Sequence, residues 1–287
     1  MNQTPSIATS AMLASVSISC WSAKKVAKKE SEELTNAKSA SKRAAQVQKN
    51  LLADDPRLTA VNTYAAEIRK WLTRTTLPWS DSGLRLVTTK QFFDFKAAVD
   101  AHKVQFDAMV VDFVHMYPTL ISAQAFKLGS MFDRSEYPSE AEVASKFSIS
   151  YSFMPVPEVG DFRVDIAEDI RKELEEQYAK DYAKRVEEVN QDLWGRLKVV
   201  LDKMSDRLGS DAGGKSKIFR DTLVENALEV CDMLRVLNVT GDPQLETARS
   251  EVQRALLGVT ADDLRKDEGV RSDVKSQVDT IIDKWNW

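Results

Sequence analysis

Histidine and cysteine are almost missing from this sequence: its 287 residues hold two of each. His102, His115, Cys20 and Cys231 stand too far apart to supply the clustered ligands of a zinc-type centre, so no metal site is expected. With so few thiols a disulfide scaffold is excluded as well. Cys20, on the apolar face of a predicted strand, and Cys231 read as reduced core thiols. No apolar run approaches the ~20 residues of a membrane-spanning helix, and the N-terminus has neither the cationic start nor the apolar centre of a signal peptide. The expectation is a cytoplasmic protein without a membrane partner. The formal net charge is -4, which excludes a wholesale basic nucleic-acid binder but leaves room for a local basic face. Dinucleotide-type glycine fingerprints, Ser/His/Asp spacings and acids isolated in apolar surroundings are missing too. An enzyme is therefore the minority reading, and no cofactor is expected.

What is present is organised around residues 147–208. Phe147, Ile149, Tyr151 and Phe153 alternate with Ser148, Ser150 and Ser152, the period of a strand with one apolar and one hydroxyl-bearing face. Pro155, Pro157 and Gly160 then interrupt any ladder and predict a turn. Phe162, Val164 and Ile166 alternate with Arg163 and Asp165 as a second strand. From Ile166 to Leu208 the period becomes helical, in a single apolar stripe that includes Leu193, Leu197, Val200 and Met204. At 1.5 Å per residue such a helix would span roughly 64 Å, against roughly 50 Å for the diameter of a compact globule of this length. Either self-association or packing against the chain's own helices would cover that stripe.

The same apolar/serine alternation recurs at Val16, Ile18 and Cys20. The fold class expected is therefore α+β, predominantly helical, with a small three-stranded antiparallel sheet of strands near 13–20, 147–154 and 161–166. The expected organisation is a loose segment over 1–10, a helical core with the sheet and long helix over 11–208, a Gly/Ser linker over 209–216, and a C-terminal helical region over 217–287. Asp55-Pro56 predicts a helix start, and Lys90 to about Tyr117 predicts an amphipathic helix that Pro118 separates from a shorter one running to Leu128 and capped by Gly129. Thr260 and Asp263 have capping-box spacing. The terminal Trp285 and Trp287 are expected to dock, on this core or on a partner.

Two segments carry candidate chemistry. Residues 22–50, expected as a basic helical arm, hold Lys24, Lys25, Lys28, Lys29, Lys38, Lys42, Arg43 and Lys49 against three glutamates, a local balance of +5. That is either a solvated charged face or an electrostatic footprint for phosphates. Trp21 and Trp79 are the aromatics on which bases could stack, although a tryptophan in a Pro/Ser/Gly loop commonly caps a core. Gly209 to Ser216 matches the letters of a phosphate-binding loop, but that chemistry needs a buried strand before the loop and here a helical stripe precedes it. A flexible linker explains the same letters.

Leu77-Pro78-Trp79-Ser80-Asp81-Ser82-Gly83, Phe126-Lys127-Leu128-Gly129 and, above all, the run from Phe153 to Asp165 resemble an uncharacterised family of phages and prophage-bearing bacteria that is known only by a domain-of-unknown-function label. The resemblance covers most of the chain, including the strand near Val16 and Gly258-Val259-Thr260. It implies a phage context in the bacterial cytoplasm, and some members are encoded near a MoxR-type AAA+ ATPase and a von Willebrand A-domain protein. It carries over no catalytic residues. The resulting expectation is a non-enzymatic phage assembly protein that forms a homo-oligomer through Leu193, Leu197, Val200 and Met204, with an AAA+ ATPase or von Willebrand A-domain protein as partner. The alternative is a single-stranded nucleic-acid-binding protein of phage replication or transcription that uses the basic segment and Trp79.

Overall fold

The computed structural model describes residues 7–53, 55–158, 167–211, 215–285 and 287. In chain order the elements are β1 (Ala11–Ser19), β2 (Lys24–Val26), α1 (Lys28–Ala37), β3 (Gln48–Asn50), α2 (Pro56–Thr75), β4 (Leu77–Pro78), β5 (Arg85–Thr88), α3 (Phe92–Leu128), α4 (Glu140–Ala144), β6 (Ser148–Pro155), α5 (Glu168–Leu208), α6 (Thr222–Leu237), α7 (Pro243–Ala255), α8 (Asp263–Lys266) and α9 (Glu268–Lys284). The fold is α+β and predominantly helical, as expected.

The sheet differs from expectation in its partners. Its order is β4-β5-β1-β6, with β1 antiparallel to β5 in a register that sets Ala11 opposite Thr88 and Ala14 opposite Arg85. The expected strand at 161–166 lies outside the described residues. Strands β4 and β5 have only two and four residues, too few for a period-two pattern to stand out. In the expected basic arm, residues 24–26 and 48–50 instead pair as a second, two-stranded sheet around the short helix α1. Pro118 does not end its helix: α3 runs through it to Leu128. One lost donor costs less than ending a helix whose inner face is buried on both sides of the proline, at Phe113, Tyr117 and Ile121.

Two compact units are present: residues 1–15, 73–95 and 152–287 form the first, and 16–72 with 96–151 the second. The first is built on α5. From Tyr182 onward α5 buries Tyr182, Val186, Val189, Leu193, Leu197, Leu201, Met204 and Leu208, and α6, α9 and β4 pack against it. Helix α6 contributes Leu223, Val224, Ala227, Cys231, Leu234 and Leu237, and α9 contributes Val274, Val278 and Ile281. The end of α5 is closed from outside: buried Arg271 of α9 donates to the carbonyls of Arg207, Leu208, Gly209 and Lys217 at 2.9–3.2 Å. Those of Arg207 and Leu208, in the last turn of α5, have no intrahelical partner, and the cation also suits the negative end of the helix dipole. Arg196 does the same for the end of α2, donating to the carbonyls of Thr73, Arg74 and Thr76. Ile7 is fully buried, and its N–H donates to the Tyr182 hydroxyl at 2.9 Å, so the start of the described chain is packed rather than loose.

Both terminal tryptophans dock on this unit. The Trp285 and Trp287 rings lie 5.6 and 5.5 Å from that of Trp194, and Trp287 Nε1 donates to the Ile282 carbonyl.

The second unit is centred on α3, which sets Phe106, Phe113 and Tyr117 against Phe147 and Trp21. Helix α2 starts as the Asp-Pro signal predicts, with Asp55 Oδ1 accepting from the Arg57 and Leu58 N–H groups. The Thr260–Asp263 box forms reciprocally in the first unit, at 2.9 and 3.2 Å.

Because Leu197 is fully buried and Val199 is 68% exposed on the same helix, Leu197→Ala is expected to lower unfolding free energy by about 2–5 kcal/mol. Val199→Ala should change it by less than about 0.5 kcal/mol. Urea denaturation followed by circular dichroism measures both.

Candidate functional site

The basic residues of 22–50 are held by β2, α1 and β3. Antiparallel register sets Lys25 opposite Lys49, a like-charge pair that would be destabilising alone. Glu136 resolves it: its carboxylate pairs closely with Lys49 and stands 4.0 Å from Lys25. Lys49 is buried and also donates to the Met131 carbonyl at 2.6 Å. It therefore ties this sheet to the segment after α3 and is not free to bind a ligand. Lys24, Lys28, Lys29, Lys38, Lys42 and Arg43 are exposed. Three of them, Lys28, Lys42 and Arg43, line one depression of about 370 Å³ with Ser31, Glu32 and Gln46. Glu32 is 3.7 Å from Lys42, a solvated pair of little energy.

Trp79 offers no stacking surface. It is buried, its ring lies edge-on to Tyr182 at 5.8 Å, and Arg185 both covers the ring and donates to the Trp79 carbonyl at 3.1 Å. Trp21 is half-buried, edge-on to Tyr117 at 5.8 Å.

The expected oligomer interface is also corrected. Leu193, Leu197 and Met204 are fully buried within the first unit, and Val200 packs against the same cluster. From Tyr182 to Leu208 the stripe is covered by α6, α9 and β4, so these four positions face this chain's own core.

Around the phosphate-loop letters, residues 212–214 lie outside the described residues. Their flanks pair with each other: Ser210 bridges Ser216, and Asp211 N–H donates to the Lys215 carbonyl at 2.8 Å. Helix α5 ends before them at Leu208, and α6 begins only at Thr222. The strand-loop-helix frame that aims backbone N–H groups at a phosphate is not what flanks Lys215.

Among the described residues no three of His, Cys, Asp and Glu are grouped to hold a metal ion, and no helix is long and apolar enough to cross a membrane. His102 is engaged by Tyr64, whose hydroxyl lies 2.9 Å from Nδ1, and by the Trp71 ring at 4.8 Å. Burial holds its pKa below the usual imidazole range.

The surface that sequence reasoning missed is the outer side of α3. Ala97, Ala101, Val104, Ala108, Val111, His115, Pro118, Ser122 and Phe126 recur every three or four residues, and all are exposed. Val104 is 71%, Val111 69% and Phe126 92% exposed. No charged side chain interrupts the stripe. Along one flank run the ion pairs Lys96–Asp100 and Lys103–Asp107, at 2.8 and 2.7 Å. The signal was available: Val104 and Val111 fall outside the buried series Phe95, Val99, Phe106, Val110 and Phe113, and a helix apolar on two sides normally has two neighbours.

No protein family, curated protein or solved structure matches the chain.

Cys231 is fully buried in the first unit, and burial pushes its thiol up to about 11. At pH 8 that leaves about one Cys231 in a thousand as thiolate. Titration of native protein with an aromatic disulfide reagent is expected to modify Cys20 alone. Cys231 should react only on addition of denaturant, and Cys20→Ser should remove the native-state reaction.

Proposed function

We propose that the chain is a non-enzymatic interaction protein that self-associates through the outer stripe of α3. The exposed, uncharged run from Ala97 to Phe126 carries this reading. A surface helix normally turns a polar face to water, and an apolar stripe of this length is the kind that a partner covers. A second copy is the occupant favoured by charge. The flank alternates Lys96, Asp100, Lys103 and Asp107, so two antiparallel helices related by a two-fold axis can meet with opposite charges facing. The alanines at 97, 101 and 108 allow close approach, with Val104 and Val111 as the larger knobs. The homo-oligomer expected from sequence is thus kept, with α3 in place of α5. The phage setting, and an AAA+ ATPase or von Willebrand A-domain partner for the assembled form, belong to this proposal through the sequence resemblance.

Light scattering coupled to size exclusion tests it: the mass should exceed the 32.2 kDa of one chain. The double variant Val104→Glu, Val111→Glu should weaken association on the order of 30-fold or more while keeping the helical spectrum. A wild-type protein that stays monomeric at high concentration overturns the proposal.

A second reading, single-stranded nucleic-acid binding, is favoured by the convergence of Lys28, Lys42 and Arg43 on one depression. Replacing the three by alanine should reduce the slope of log affinity against log salt for a single-stranded oligonucleotide by about 0.7 for each phosphate that is no longer neutralised. An unchanged slope in fluorescence anisotropy removes this role.

A further inference from the structure

We propose that the cleft between the end of α5 and the start of α6 is a binding site for a small phosphate-bearing ligand of the nucleotide or polyphosphate class. The cleft encloses about 540 Å³ and is lined by Lys203, Arg207, Ile218, Phe219, Arg220, Thr222, Leu223 and Asn226. Its size falls in the range of small-ligand sites. Three of the lining residues are cations and none is an acid.

The carboxylates of Asp202, Asp206 and Asp221 already have partners. Asp206 is held by Lys217 at 2.6 Å and stands 3.7 Å from Arg207. Asp202 pairs with Lys198 at 2.8 Å, and Asp221 pairs with Arg265 at 2.5 Å. Lys203 and Arg220 form no ion pair among the described residues and are exposed. Like charges gathered on one concave wall repel one another and raise the local potential for anions. Two free cations and a partly engaged third fit the charge of a di- or triphosphate better than that of a single carboxylate.

The rest of the lining supplies what a phosphate ester would use. Thr222 and Asn226, one helical turn apart on α6, are exposed hydrogen-bonding groups. Ile218 is 90% exposed at the cleft, an apolar side chain against which a planar base can lie. Phe219 beneath it is fixed by Arg265 and Arg271, whose guanidinium carbons lie 5.2 and 5.3 Å from the ring centre. Recognition here is by side-chain cations on two helices rather than by a glycine-rich backbone cradle, and it does not depend on the α3 surface.

Isothermal titration of the full chain with ATP, with inorganic tripolyphosphate and with a single-stranded oligonucleotide, at low salt and with EDTA present, tests the site. Both triphosphates should bind, and Arg220→Ala and Lys203→Ala should each weaken them about tenfold while circular dichroism stays unchanged. Tighter binding of ATP than of tripolyphosphate, abolished in Ile218→Ser, identifies a nucleotide. Equal binding identifies the free polyphosphate. The proposal is overturned by no binding of either triphosphate, whether or not the oligonucleotide binds, and by binding that survives both substitutions. Binding abolished in the Lys28, Lys42, Arg43 alanine variant and kept in Arg220→Ala would likewise assign the phosphate to the other unit and overturn it.

Discussion

A helix of 41 residues such as α5 holds its shape only if its apolar stripe and its orphan terminal carbonyls both find partners inside the protein. The stripe from Tyr182 to Leu208 is covered by α6, α9 and the edge of the sheet. Burying each large side chain contributes roughly 1.5–3 kcal/mol before conformational entropy is counted. Two of those carbonyls, of Arg207 and Leu208, are answered by Arg271, which reaches from α9 and also takes those of Gly209 and Lys217. An uncompensated buried arginine would be costly, so the contact also fixes where α9 lies. The Trp194, Trp285 and Trp287 cluster ties the chain end to the middle of the same helix.

The long helix of the second unit has a different economy. Helix α3 buries aromatic residues on one side and leaves alanine, valine and phenylalanine on the other. Flanking Lys/Asp pairs at four-residue spacing add only a few tenths of a kcal/mol each, yet they keep the borders soluble without placing one sign of charge along the seam. Self-association through α3 would remove that stripe from water and leave the buried face, and hence the fold, as it is. In the first unit the same kind of apolar stripe is already used internally. Placing the interface on α3 rather than on α5 follows from that difference.

The basic residues divide in a similar way. Lys49 became part of the structure because strand pairing set it against Lys25 and a buried position demanded Glu136 as counter-charge. Lys28, Lys42 and Arg43 stayed at the surface, where their joint field is the relevant quantity. At the α5–α6 cleft the cations come from segments that show no basic run in sequence, since Lys203, Arg207 and Arg220 are brought together where α6 packs on α5.

Period and punctuation determined much of this protein in advance: the α+β class, β1 and β6, α5 and its apolar stripe, the Asp55-Pro56 start and the Thr260–Asp263 box. These are local, depending on side-chain spacing and on backbone groups within a turn of the chain. Only tertiary structure decided the rest. Strands β4 and β5 are too short to carry a period, and they exist because β1 offers hydrogen bonds to β5 and β5 in turn to β4. Pro118 reads as a stop, but burial of the helix face on both sides of it outweighs one missing bond. Whether a stripe is core or interface cannot be read from the stripe, because it depends on what the remainder of the chain lays over it. Leu193, Leu197 and Met204 are covered, whereas Val104, Val111 and Phe126 are not.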